Sequence, residues 1–211
     1  MSKLDWYLDE ETFVEIYHRY RELVKVQNTN LSRQMQDSMK DFDYETAAIK
    51  IRKLQLSGEI GKETYIDSKR FINHNLKQIY EGTKKQVVKL RDEIEIELIE
   101  SIVENLERIE RAKQSLEIHL DEPNQIENSI REIEKLIEER IQISLECIHL
   151  LLINHHLYEA NQKLESMKLI RQVLGKFCTD EIRNRIVLLE EHYNKQILEN
   201  IIKKYSTMSI I

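Results

Sequence analysis

The chain has 211 residues, 41% of them apolar and 33% charged, and a formal net charge of -6. Four glycines and one proline leave few places for tight turns, which excludes sheets, sandwiches and glycine-rich nucleotide folds in favour of long helices. Two cysteines with no ligand-like spacing around them point to a reducing compartment. Without a signal-peptide pattern or an apolar run of about 18 residues, the sequence reads as a cytoplasmic chain with no transmembrane segment.

Asp9 is the first candidate N-cap, with Glu10 and Glu11 placed at the positive end of the helix dipole. The helix it opens is expected to reach about Val26, and Phe13, Ile16, Tyr17, Tyr20, Leu23 and Val24 recur at the spacing of one packed face. Residues 27–30, "QNTN", read as a break. A second helical region runs from about Leu31 to Leu56, interrupted near Asp41 and ended by Ser57 and Gly58. A third starts near Lys62, with an interruption expected at Gly82.

Beyond Gly82 the pattern becomes regular. Val87, Leu90, Ile94, Leu98, Ile102, Leu106, Ile109, Leu116 and Leu120 form one stripe, and residues 121–124, "DEPN", turn the chain, Pro123 being suited to the first turn of a new helix. Ile126, Ile130, Ile133, Ile137, Ile141, Leu145, Ile148 and Leu152 carry the returning stripe. A helix unbroken from 124 to 174 would be roughly 75 Å long. Gly175 ends it, and Thr179 with Asp180 and Glu181 opens a last helix along Ile182, Ile186, Leu189, Tyr193, Ile197 and Ile201. The expected fold is an all-α, elongated helical bundle of about five helices, built on a long antiparallel, coiled-coil-like hairpin. Residues 1–61 would pack on its base, 62–174 would form it, and 175–211 would brace it.

Three of the seven histidines crowd the apolar stretch "CIHLLLINHHL", residues 147–157. Glu15-x-x-His18 and Glu146-x-x-His149 have the spacing by which facing helices ligate a di-iron centre, so Glu15, His18, Glu146 and His149 are the candidate metal set. Two such spacings are close to what a glutamate-rich chain supplies by chance. His149 and His156 lie seven apart on one helical face and His155 on another. The expectation is therefore structural, with His149 and His156 hydrogen-bonded within the bundle or at a subunit interface and His155 paired with Glu159. No phosphate loop, nucleophile elbow or His-Glu-x-x-His motif occurs. Cys147 sits among apolar neighbours, and Cys178 has no activating partner in the sequence. No enzymatic activity and no cofactor are expected.

Charge is distributed unevenly. Residues 92–146 hold 17 acidic and 6 basic side chains, whereas 1–91 hold 14 and 17. Folding back at Pro123 would gather the acidic segments at one end, favouring a basic protein partner and opposing nucleic acid or anionic lipid there. Glu132, Glu134, Glu138 and Glu139 are the candidate contacts. Ile148 and Leu152 join them from the segment 147–153, which is apolar all round and calls for cover by other helices or a second chain. Trp6 and Tyr7, just ahead of the first helix, are candidate partner anchors. A basic stretch from Lys62 to Arg91 places Lys69, Arg70, Lys77, Lys84, Lys85 and Lys89 among Tyr65, Phe71 and Tyr80; nucleic-acid contact would be sought there.

The stretch "MQDSMKDFDYETAAIKIRKLQ", residues 35–55, resembles the UVR-type helical hairpin through Met35, Phe42, Tyr44, Glu45, Ala47 and Ala48. It departs from that pattern at Ile51 and Arg52, which arrive one position late, and it covers about a tenth of the chain. The resemblance implies a short protein-docking module. Taken together, the expected function is that of a non-enzymatic helical scaffold or adaptor in a cytoplasmic assembly, as a homo- or hetero-oligomer with a helical partner. The alternatives are a di-iron helical-bundle enzyme, a BAR-like membrane-associated dimer and a nucleic-acid-binding helical protein.

Overall fold

In the computed structural model the backbone is described over residues 10–90 and 95–208; Trp6, Tyr7, Asp9 and Ile94 lie outside them. The described residues form seven α-helices and no strand: α1 Glu10–Lys40, α2 Tyr44–Leu56, α3 Gly58–Lys89, α4 Ile96–Leu116, α5 Pro123–Ile153, α6 Leu157–Leu174 and α7 Asp180–Met208. Short 3-10 turns occupy Glu117–His119 and Gly175–Phe177. The fold is therefore all-α. No helix among the described residues is long and apolar enough to cross a membrane.

The chain divides into two compact units, one of Met1–Gln78 with Glu110–Pro123 and the other of Ile79–Ile109 with Asn124–Ile211. In the first unit, Met35, Met39, Tyr44, Ala47, Ile51, Leu54, Ile72, Leu76, Ala112, Leu116 and Leu120 are buried. Close approach of α3 to the start of this core depends on Gly61. A Cβ there would lie 2.6 Å from Ser57 Cβ and 2.9 Å from Asn28 Nδ2, closer than van der Waals contact allows. Polar cross-links tie the helices: the Ser57 hydroxyl donates to Asn28 Oδ1 at 2.9 Å, and the Ser32 and Ser68 hydroxyls meet at 2.8 Å.

In the second unit one core runs from Val87 and Leu90 through Ile99, Ile102, Leu106 and Ile109 of α4 and on to the α5 stripe Ile130, Ile133, Ile137, Ile141, Leu145, Ile148 and Leu152. Leu164, Met167, Ile170 and Leu174 of α6 and Ile182, Ile186 and Leu189 of α7 close it. Gln86 joins α3 to α4, donating to the Ser101 hydroxyl at 3.0 Å and accepting from Asn105 at 3.2 Å. Lys168 joins α6 to Glu190 of α7 at 2.7 Å.

The expected turn at 121–124 is present, with Pro123 as the first residue of α5. Gly175, at φ 52°, ends α6, and the Thr179 hydroxyl accepts from the Ile182 amide at 3.4 Å to cap α7. The expected stop at Ser57 and Gly58 also forms, with Gly58 at φ 61°.

Four expectations are corrected. The helix expected over 124–174 breaks at residues 154–156. There the His156 amide bonds the Leu151 carbonyl at 2.9 Å and the His155 amide bonds Leu152 at 3.0 Å, with His155 at φ 59°. This is the Schellman closure, which returns orphan carbonyls their donors through one left-handed residue. The same device ends α1, where Asp43 bonds Ser38 and Phe42, at φ 59°, bonds Met39. Asp43 then caps α2 by accepting from the Thr46 amide at 3.0 Å, and the side chain and amide of Thr46 hold its carboxyl below the usual carboxylate range.

The limb expected from residue 83 onward is likewise two helices, α3 ending at Lys89 and α4 starting at Ile96, and Val87, Leu90, Ile99 and Ile102 all enter one core. No break occurs at residues 27–30. Asn28 turns into the first core and Thr29 returns its hydroxyl to the Lys25 carbonyl at 3.0 Å, so neither side chain competes for the helix's own amides. Nor does Gly82 interrupt α3. The neighbouring Thr83 is buried and bonds the Ile79 carbonyl at 2.8 Å, while Tyr80 and Lys84 are both tied to Glu132 of α5.

Candidate functional site

The most unusual surface of the described residues is the first half of α1. From residue 11 to residue 27 every side chain is exposed except Thr12 and Val24, which are half-buried. Phe13, Ile16, Tyr17, Tyr20 and Leu23, read from the sequence as a packed face, are 59%, 51%, 47%, 56% and 70% exposed. Their side chains share an arc of about 120° at 100° per residue. The Phe13 and Tyr17 rings lie parallel with centroids 6.4 Å apart, and the Arg21 guanidinium sits 5.8 Å from the Tyr17 ring. An apolar hollow opens over His18, Arg19, Glu22, Leu23 and Val26. At Asn28, which is 1% exposed, the helix enters its core.

A second uncovered surface lies in the other unit. Within 147–153, expected to be covered all round, Ile148 and Leu152 are fully buried but Leu150 and Ile153 are 58% and 51% exposed, and Ile143 one face-repeat earlier is 49% exposed. Among the described residues, packing covers only one side of this stretch. Ile148 and Leu152, read from the sequence as partner contacts, are fully buried in the chain's own core. The exposed positions were missed because the stripe through 141, 145, 148 and 152 drew attention to the opposite face; an apolar run too broad for one face was their signal.

The acidic candidates are occupied within the chain. Glu132 accepts from both Tyr80 and Lys84. The Lys84 ammonium, then the Tyr80 hydroxyl, hold its carboxyl below the usual range, while burial and the neighbouring carboxylate push the Tyr80 phenol up. Glu138 accepts from the Thr179 hydroxyl at 3.1 Å and so steadies the α7 cap. Glu139 lies 3.9 Å from Lys135, and Glu134 is half-buried on α5.

Several basic candidates are similarly engaged. Lys69 pairs with Asp121 at 2.8 Å, Arg70 with Asp67 at 3.2 Å, and Lys84 with Glu132.

The histidines are arranged differently from the sequence expectation. His149, His155 and His156 are all exposed. His149 faces His192 with ring centroids 6.1 Å apart, and His156, not His155, approaches Glu159 at 4.0 Å. The break at 154–156 accounts for His155 and His156, since it takes both off the α5 helix on which the expected faces were counted; His149 stays on α5, on an exposed side. Of the proposed metal set, Glu15 pairs with Arg19 at 2.6 Å and Glu146 lies 3.7 Å from Arg185. Among the described residues no three His, Cys, Asp or Glu side chains gather as metal ligands. The histidine that is buried is His119, 1% exposed in the first unit, with Nδ1 3.4 Å from the Tyr65 hydroxyl. Burial first, then Lys69 and Arg52, lowers its affinity for a proton. Burial likewise pushes the Cys178 thiol up, disfavouring its thiolate form.

No protein-family model matches the chain, and no curated protein or solved structure matches it either. The helix-turn-helix over residues 35–55 is present as the end of α1, the turn at 41–43 and α2, with Met35, Tyr44 and Ala47 buried between them. The UVR resemblance thus rests on the six residues already named and on this local shape.

Proposed function

We propose that the protein is a non-enzymatic helical scaffold or adaptor in a cytoplasmic assembly, and that it docks a protein partner on the uncovered apolar face of α1. The observation that carries this reading is the 47–70% exposure of Phe13, Ile16, Tyr17, Tyr20 and Leu23 along one face of a continuous helix. An amphipathic helix draws its stability from burying that face rather than from backbone propensity. Three aromatic rings with Arg21 beside them are the residue types that dominate binding energy at protein interfaces. The glutamates of α5 lose their place as partner contacts because Glu132 and Glu138 already have partners inside the chain. Nucleic-acid contact through the basic stretch draws little support while Lys69, Arg70 and Lys84 are held in ion pairs.

The test is affinity purification of the tagged chain from its native extract beside the double variant Tyr20→Glu/Leu23→Glu. A stoichiometric protein retained by the first and lost from the second is expected, with the thermal unfolding of the two chains the same. Equal retention by both chains would refute docking through α1.

A further inference from the structure

We infer that the partner docking on the α1 face is an amphipathic helix of another protein, one whose apolar stripe is edged on both sides by carboxylates. This deepens the docking reading above and rests on it.

The spacing of the face selects a helix. Phe13, Ile16, Tyr17, Tyr20 and Leu23 follow one another at helical intervals, so their exposed side chains make a seam about 15 Å long on a convex rod. A second helix carries a seam of the same period and sets its side chains between these. An extended strand repeats at two residues and meets only some of them.

The charge beside the seam selects the chemistry of that helix. At 100° per residue, Arg19 falls about 40° outside Leu23 on one edge and Arg21 about 40° outside Tyr17 on the other. Both arginines are exposed, and the Arg21 guanidinium sits 5.8 Å from the Tyr17 ring. Glu11, Glu15, His18, Glu22 and Lys25 lie about 140–180° from the centre of the seam, on the far side of the helix. The charges within reach of a docked helix are thus two arginines, one on each edge, where flanking pairs set partner choice between helices. A carboxylate on each edge of the partner matches the planar guanidinium fork. Arg19 exchanges Glu15 for it at little cost, since that pair is 77% and 65% exposed.

The same edges count against other occupants. A second copy of this chain sets arginine against arginine whichever way the two helices run. An anionic membrane or a nucleic acid gains little attraction, because residues 11–27 carry three glutamates against Arg19, Arg21 and Lys25.

Binding of two synthetic peptides to the full chain, followed by fluorescence anisotropy, is the test. Both are three-heptad helices with leucine along the seam; one carries glutamate at every edge position and its twin carries lysine there, so each repels its own kind. The glutamate-edged peptide is expected to bind about tenfold more tightly than its twin at low salt, and the gap should close as salt rises. Arg19→Glu/Arg21→Glu should reverse the order. Tyr20→Glu/Leu23→Glu should bind the glutamate-edged peptide at least about tenfold more weakly than wild type. Because all four side chains are exposed, the thermal unfolding of both variants should match wild type.

Equal affinity for the two peptides, or an order that survives Arg19→Glu/Arg21→Glu, overturns the acidic edges. Binding of neither peptide overturns the helical partner. A protein still retained from native extract through Tyr20 and Leu23 would then leave the docking reading standing with an occupant of other chemistry. Retention of the chain on phosphatidylserine vesicles, lost in Tyr20→Glu/Leu23→Glu, overturns a protein helix as the occupant.

Discussion

Phe13, Ile16, Tyr20 and Leu23 of α1 and Ile133, Ile137, Ile141 and Leu145 of α5 are written in the same helical pattern, one apolar residue every three or four. On α5 the four side chains are 0–1% exposed, sealed by α4, α6 and α7. On α1 they are 51–70% exposed. Periodicity states that a face requires cover; it does not state which chain provides it. The α5 stripe builds the fold, and the α1 stripe remains exposed.

The sharpest way to break this contrast is to truncate one leucine on each helix. Leu145→Ala removes a side chain with no exposed surface and should cost about 2–5 kcal/mol of unfolding free energy in denaturant melts. Leu23→Ala, in dilute solution, should change stability by less than about 0.5 kcal/mol. The same substitution should nevertheless weaken whatever association α1 supports, separating folding from docking in two measurements. Comparable losses from both substitutions would mean that α1 is core after all.

A smaller effect concerns the first unit, where α1 leaves solvent and becomes core. His119 is buried there with its proton affinity lowered, so the unfolded chain binds the proton more tightly than the folded one. Its contribution to stability is therefore complete above the ordinary imidazole value of 6.5. It is lost as pH falls through that value toward the lower folded one. Thermal unfolding followed from neutral to mildly acidic pH should show this decline, and His119→Gln, which cannot take up the proton, should flatten it. An equally steep decline in the variant would assign the acid sensitivity elsewhere.

Much of the fold was legible because its signals are local. Pro123 at a helix start, Gly175 at a helix end and Thr179 before two acidic residues all sit where the sequence placed them. The α5 stripe, repeating at three and four residues, was equally plain. The break at 154–156 was hidden because its left-handed position holds His155, a residue with a Cβ, where glycine is the usual marker. Phe42 fills the same role at the end of α1, where the sequence placed an interruption near Asp41. The end of α3 at Lys89 carries no glycine or proline to mark it.

The candidate site was visible in outline only. Phe13, Ile16, Tyr17, Tyr20 and Leu23 were recognised as one face, but nothing in their spacing separates a face packed at home from one left for a partner. Glu132 and Glu138 looked free because their partners, Lys84 and Thr179, lie 48 and 41 residues away along the chain.

Amide hydrogen exchange on the monomeric chain, at a concentration too low for association, tests the central contrast most directly. Residues 11–27 should exchange orders of magnitude faster than residues 130–152, because every described side chain in this span is exposed except the half-buried Thr12 and Val24. Protection of 11–27 equal to that of the α5 core in the dilute monomer would contradict the account, since it would place the α1 face inside the fold of a single chain.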